Sequence, residues 1–314
     1  MTINTVDAPQ KILVIKLSAL GDFILSLGAM EAIRRHHPSA HITLLTTKPF
    51  YDMATRSRYF NDVWVDERPP LFAVHKWIAF YRRLRRAGFE RVYDLQMSGR
   101  TNAYFKLFHP KPEWSGTARG VSHPFDDPAR SGRHVFDNHK IRLAAFGIDV
   151  SYPDLTWMKT DVSSFGLKSP YILMVPGCAP QHPHKRWPAQ KYAALAIKLS
   201  RAGYDIALLG TAAEAEAIAV IHRICPAAKD LSGRTSFYDI ATLAHGAAGA
   251  VGNDTGPVHL IAHAGGSVVA LFSGAGDPKL SQPVGRDVQV IQADDIADIP
   301  VDVVFSSIEK QAAA

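Results

Sequence analysis

Three short stretches carry residue types and spacings that can do chemistry. The first runs Lys16-Leu17-Ser18-Ala19-Leu20-Gly21-Asp22, with one acid beside a glycine where an apolar run turns into a helical pattern. Asp22 has two readings there, a helix cap or a base at the mouth of a cleft. The second stretch is Gly252 to Gly266, in which a strand ends in Gly252-Asn253-Asp254-Thr255-Gly256 and a helix begins at about Pro257. Proline in the first turn marks a well-formed helix start. Its free N–H groups and the positive end of the helix dipole favour a phosphate. Gly256 lets that phosphate approach the backbone. Asp254 suits sugar hydroxyls better than an anion, and simple capping competes with both roles. His259 and His263 stand at i, i+4, but the Glu of H-E-x-x-H and a third ligand are missing. His263 therefore reads as packing, while His259, one turn in, can reach a ligand phosphate.

The third stretch, Val175 to Leu195, is a strand opening into a Pro/Gly loop and then a helix from about Pro188. The loop carries His182, His184, Lys185 and Arg186. A cation there can neutralise a leaving diphosphate, although loop Lys and Arg are usually solvated and Trp187 can simply plug the loop into the core. Two weaker signals follow. Glu214, after the strand ending near Gly210, can bind ribose hydroxyls or serve only as a helix-dipole partner. Ser236 reads as the cap of a helix whose preceding turn can line a base pocket. There is no G-x-x-x-x-G-K-[ST], no G-x-G-x-x-G after the first strand, and no serine nucleophile elbow, which weakens NTPase, dinucleotide and hydrolase readings.

The elements that must position these residues alternate. Strand-length apolar runs lie at 11–17, 41–47, 171–175, 204–209, 248–252, 267–272 and 287–291, with weaker ones at 62–66 and 91–95. Helical patterns fill 23–36, 72–87, 134–146, 188–202, 212–224, 236–245, 257–264 and 301–311. Continuous rather than alternating hydrophobicity implies strands covered on both faces, hence α/β units with parallel sheets. Residues 109–133, rich in Pro and Gly, read as a long irregular loop, and 150–170 as a linker. In such sheets ligands sit beyond the carboxyl ends of the strands.

The 314 residues suffice for two domains with buried cores. No apolar run reaches the roughly 18 residues needed to cross a bilayer, and the start lacks the pattern of a secretory signal. Cys178 and Cys225 form no framework or metal spacing, which suits a reducing compartment. Charge is uneven: residues 1–160 carry 23 Lys and Arg against 15 Asp and Glu, whereas 161–314 carry 12 against 14. Such asymmetry suggests that the first half meets something anionic. Phe80 to Phe89, with Arg82, Arg83, Arg85 and Arg86, reads as a basic amphipathic helix, either solvated or resting on anionic lipid. Nucleic acid is disfavoured, since stacking aromatics and a known motif are missing.

Three segments together resemble glycosyltransferase family 9, the ADP-heptose:lipopolysaccharide heptosyltransferases. They are ILVIKLSALGDFILSLGAM, PGCAPQHPHKRWPAQKYAAL and GNDTGPVHLIAHAGGSVVALF, in the family's order and spacing. The resemblance implies a GT-B architecture, two Rossmann-like domains with parallel sheets facing across a cleft. Residues 1–160 would hold the acceptor and 161–314 the nucleotide-sugar, with packing back on the first domain an option for the last helix. It implies an inverting transfer that needs no metal and no cofactor, from a nucleotide-diphosphate donor such as ADP-heptose to an anionic lipopolysaccharide core. The family's K-x-S-x-x-G-D motif places Lys16, Ser18 and Gly21 on the acceptor side and Asp22 as the base. Gly177, Lys185, Glu214, Asp254, Thr255, Gly256 and His259 fall on the donor side. Where relatives carry Thr or Ser in the Pro-Gly loop, this chain has Cys178-Ala179-Pro180-Gln181, so that contact falls to backbone amides or is lost. The implied location is cytoplasmic, with peripheral contact at the inner membrane. The rival readings are a GT-B nucleotide-sugar epimerase and a non-catalytic nucleotide-sugar or lipid-surface binding protein.

Overall fold

The computed structural model describes residues 9–70, 72–178 and 181–313. The tail expected before the first strand (residues 1–8) lies outside the described residues, as do Ala179 and Pro180 of the expected phosphate loop. The strands are β1 (Lys11–Ile15), β2 (His41–Thr46), β3 (Asp62–Val65), β4 (Arg91–Asp94), β5 (Glu113–Gly116) and β6 (His123–Pro124). They continue with β7 (Tyr171–Val175), β8 (Asp205–Leu208), β9 (Lys229–Asp230), β10 (Gly249–Asn253), β11 (Val268–Ser273) and β12 (Val288–Ala293). The helices of the first half are α1 (Leu20–Leu25), α2 (Leu27–His36), α3 (Tyr51–Arg56), α4 (Val74–Ala87), α5 (Gly99–Phe105) and α6 (Val135–Ala144). Those that follow are α7 (Ala189–Arg201), α8 (Ala215–Ile224), α9 (Phe237–Gly246), α10 (Gly256–His263), α11 (Pro278–Ser281) and α12 (Val301–Ala312).

Two six-stranded sheets result, ordered β3-β2-β1-β4-β5-β6 and β12-β11-β10-β7-β8-β9. Every pairing is parallel. Counted from its own first strand, each sheet has the order 3-2-1-4-5-6, the Rossmann order. Each therefore has a switch point, between β1 and β4 in one and between β7 and β10 in the other, where ligands bind. The central strands form because their side chains are apolar on both faces. Ile12, Leu13, Val14 and Ile15 are all fully buried, each contributing roughly 1.5–3 kcal/mol on burial.

The chain forms two compact units. One comprises the described residues up to Ala19 with Ser26–Arg130 and Asp137–Ser151. The other comprises Leu20–Leu25, Ser131–Phe136 and the described residues from Tyr152 onward. The first is cored by Leu13, Ile15, Val92, Tyr104, Phe105 and Trp114. The second has a larger core, centred on Ile172, Met174, Leu195, Ile206 and Val251. Val304 and Ile308 of α12 are buried in this second core and the helix packs on α7. The last helix is thus seated on its own unit, because its apolar stripe fits there.

The helix expected over 23–36 is broken. Ser26 forms a turn between α1 and α2, and its buried hydroxyl bonds His139 Nε2 on α6 at 3.0 Å. No proline or glycine signals that break, since its cause is tertiary. The loop expected over 109–133 contains β5 and β6. Trp114 is fully buried between Phe105 and Phe108, and its backbone N–H donates to Ser122 Oγ at 2.8 Å. Strands of four and two residues are too short to leave a periodic signal.

Candidate active site

The second unit's switch point is built around one amide side chain. Asn253, the last residue of β10, is fully buried. Its Oδ1 accepts from the Trp187 N–H at 3.0 Å and the Tyr192 hydroxyl at 3.1 Å. Its Nδ2 donates to the Pro176 and Gly177 carbonyls at 2.9 and 3.1 Å. All the bonding capacity of the amide is used, and the Pro-Gly loop after β7 is stapled to the end of β10. Trp187 plugs the same loop into the core, as expected, with Nε1 donating to the Ile299 carbonyl at 3.1 Å. Asn253 was not singled out from sequence. The signal available was a lone amide at the end of a wholly apolar strand, since a buried amide must find partners.

The staple sets the next two groups side by side. Lys185 Nζ donates to Asp254 Oδ2 at 2.8 Å, with side chains 21% and 12% exposed. His259 Nε2 stands 3.7 Å from Asp254 Oδ1, an ion-pair distance rather than a hydrogen bond. Burial alone pushes the Asp254 carboxyl up, but His259 and Lys185 outweigh it and hold its pKa below the usual carboxylate value. Thr255 occupies the N-cap position of α10, yet its hydroxyl makes no capping bond. Asp254 is spent on Lys185 and His259, so the capping reading fails for both residues. His263 is a packing residue. It lies edge-on to Phe136 and Tyr152, and burial, with His259 nearby, lowers its pKa to about 3.

Asp22 does not precede a helix. It is the third residue of α1, half-buried, in the first turn where a negative charge is favoured. α1 packs on α10 within the second unit. A Cβ on Gly21 would stand 3.1 Å from His259 Cδ2, so the α1 backbone rests on the imidazole. A Cβ on Gly256 would fall 2.5 Å from the Leu20 side chain. Gly256, read from sequence as room for a phosphate, makes room for Leu20. Asp22 is therefore adjacent in sequence to the residue that touches His259, which in turn faces Asp254, the partner of Lys185.

Glu214 is also drawn in. Its Oε2 accepts from the Thr211 N–H and hydroxyl, both at 2.8 Å, completing a capping box. Its Oε1 lies where a Gly177 side chain would be, 2.9 Å from that Cβ position. One oxygen of the carboxylate thus serves the local cap, while the other lies against the Pro-Gly loop. The β11–α11 turn, which sequence reading passed over, comes close too. A Cβ on Gly276 would be 3.8 Å from Lys185 Nζ, and the Ser273 hydroxyl is buried without a hydrogen-bond partner.

In the first unit, Ser18 lines an open cavity of about 700 Å³ with Thr47, Lys48, Asp66, Glu67 and Arg68. Arg68 Nη2 donates to Ser18 Oγ at 2.8 Å. The Asp66 carboxylate that fixes the Arg68 backbone also accepts from Tyr104. Lys16 is 3% exposed at the end of β1, so its charge is not presented at a surface. Gly21, expected on the acceptor side, lies against His259. Among the described residues, no group of three or more His, Cys, Asp or Glu is arranged to hold a metal ion.

Comparison with known proteins gives a consistent picture. The chain is 28% identical over 317 aligned residues to lipopolysaccharide heptosyltransferase 2 of Salmonella typhimurium, covering 90% of this chain and 88% of that one. Among solved structures, a glycosyl transferase family 9 protein from Veillonella parvula superposes with a TM-score of 0.81 at 20% identity, covering 99% of each chain. Escherichia coli heptosyltransferase WaaC with ADP-2-deoxy-2-fluoro heptose gives 0.75 at 18%, covering 96% of this chain and 99% of that one. These structural likenesses establish the fold class, GT-B. The family model described as glycosyltransferase family 9 (heptosyltransferase) matches residues 77–303, well over half the sequence. On that ground the chain belongs to glycosyltransferase family 9.

Proposed function

We propose that this enzyme moves a heptose from ADP-heptose to a lipopolysaccharide core acceptor with inversion at the anomeric carbon. Support for the sugar and the acceptor comes from the relative named as a lipopolysaccharide heptosyltransferase and from the structural relative holding an ADP-heptose analogue. The single observation that carries the mechanism is the run of contacts from α1 through His259 to Asp254 and Lys185.

In this reading Asp22 accepts the proton of the attacking acceptor hydroxyl as the new bond forms, which contributes about 10²–10⁴-fold. The departing diphosphate gains negative charge. Lys185, His259, Thr255 and the amides at the start of α10 neutralise it. Asp254 holds Lys185 in place, and Glu214 and Gly177 border the nucleoside. The first unit, through Ser18 and the cavity bearing Lys48 and Arg68, takes the anionic acceptor. Because such an acceptor is membrane-anchored, the proposal includes a cytoplasmic enzyme in peripheral contact with the inner membrane. Among the described residues, no helix is long and apolar enough to cross a membrane.

The test is ADP release from ADP-heptose with and without a Kdo-terminated core acceptor. Release that depends on acceptor, with the heptose recovered on it, is expected. An altered nucleotide-sugar formed without acceptor would replace this reading with epimerisation, and donor binding without turnover would replace it with a binding role.

A further inference from the structure

Helix α4 is seated firmly and yet leaves one side unused. Leu84 is buried, Trp77 and Phe80 pack against the first unit's core, and Trp77 Nε1 donates to the Pro70 carbonyl at 3.2 Å. The opposite side begins apolar and ends cationic. Phe72, Val74 and Ile78 are 86%, 60% and 44% exposed. Three of the eight exposed large apolar side chains in the described structure thus fall within seven residues. Val74, Ile78, Arg82 and Arg85 follow at i, i+4, i+8 and i+11, one stripe along the helix, about 16 Å long at 1.5 Å per residue.

The basic residues of α4 sort into two groups. Lys76 pairs with Glu67 at 3.0 Å, and Arg83 lies over the Trp64 ring at 3.8 Å. Arg82, Arg85 and Arg86 are exposed and have no acidic partner among the described residues. From Pro69 to Phe89 the sequence has five Lys and Arg and no Asp or Glu. An apolar tip followed by unneutralised arginines matches the cross-section of a bilayer interface, with acyl chains below and phosphates above. A second copy paired through this same stripe would bring no acid to it.

We infer that Phe72, Val74 and Ile78, with Arg82, Arg85 and Arg86, form the surface by which the enzyme docks on an anionic phospholipid bilayer. This deepens the peripheral-contact part of the proposed function but does not depend on the sugar chemistry. Each arginine near an anionic surface strengthens binding about fivefold, so three give a preference on the order of a hundredfold for anionic over neutral vesicles.

The experiment is co-sedimentation of the full chain, without substrates, with phosphatidylcholine vesicles and with vesicles containing about one third phosphatidylglycerol. Binding to the anionic vesicles is expected, weakened by high salt. Arg82→Glu with Arg85→Glu should abolish the anionic preference. Phe72→Ser with Ile78→Ser should weaken binding about tenfold or more while leaving the melting temperature and transfer to a delipidated, soluble acceptor unchanged. Phe72→Ser alone, at the most exposed position, serves should the double variant unfold. Equal binding by wild type and variants would overturn the inference, as would no binding to anionic vesicles. A dimer dispersed by Phe72→Ser in a chain that ignores vesicles would overturn it too. Transfer without vesicle binding sinks this inference alone, whereas vesicle binding without transfer sinks only the proposed function.

Discussion

The two switch points share a strand order and a device, an amide side chain at or just past a strand end that ties down the neighbouring loop, yet they are built to different tolerances. In the first unit the half-buried Gln96 accepts from the Leu17 and Ser18 N–H groups at 2.8 and 3.1 Å, and the space beyond is open. In the second, the fully buried Asn253 bonds on both its faces, and the charged groups it positions are themselves mostly buried. The difference follows from what each must hold in the proposed reaction. A diphosphate is small and must meet preset charges as its bond breaks, since electrostatic stabilisation works when no reorganisation is needed. A core oligosaccharide is large and varied and needs room.

Four tests put that contrast at risk. The largest effect is expected from Asp22→Asn, a loss of about 10²–10⁴-fold in kcat with the donor KM nearly kept, read by steady-state kinetics. Unchanged turnover would remove α1 from the chemistry. Next comes Asn253→Ala. It strips partners from the Trp187 N–H and two carbonyls, at about 1–3 kcal/mol per buried unsatisfied group, for a loss of about 3 kcal/mol in urea unfolding. Gln96→Ala, at a site water can reach, should cost about 1 kcal/mol or less. The reverse ranking would break the contrast.

A third test uses pH. His263 stays neutral in the folded chain down to about pH 3, while in the unfolded chain it protonates near 6.5. Below 6.5 the unfolded state binds the extra proton, so stability falls as pH falls, until about pH 3. The slope is about 1.4 kcal/mol per pH unit for one proton. Between pH 6.5 and 5 the loss should approach about 2 kcal/mol, and His263→Leu should remove that share. The smallest effect is Gly21→Ala, whose Cβ would press His259 at 3.1 Å. Displacing the ring by a few tenths of an ångström should lower kcat/KM about threefold to tenfold. Gly99→Ala in the first unit, with nothing within 4 Å of its Cβ, should leave kinetics unchanged.

The repeated α/β rhythm was legible because the central strands are apolar on both faces; KILVI and YILMV hardly admit another reading. The three site segments were legible because glycine, proline and isolated charges at strand ends are locally unusual. Other features depended on distant partners. The break at Ser26 is explained by His139, 113 residues away. Asn253 owes its role to residues 61 to 77 positions earlier. α5 starts with a capping box at Ser98 and Thr101, a pattern without the Glu or Gln that usually announces one. Gly256 read as an anion's neighbour because local sequence cannot show Leu20 arriving from the other end of the chain.

That arrival has a practical consequence for recombination. Leu20 fills the space a side chain at 256 would take, and Gly21 cedes space to His259, so positions near the start of the gene and near its end are constrained as a pair. A chimera made by a single cut near residue 160 would inherit a foreign partner for α10 and a clash or a hole at its first turn. Grafts that carry residues 20–25 together with the C-terminal half should keep their fit, and swaps that leave them behind should need compensating changes at 256 or 259.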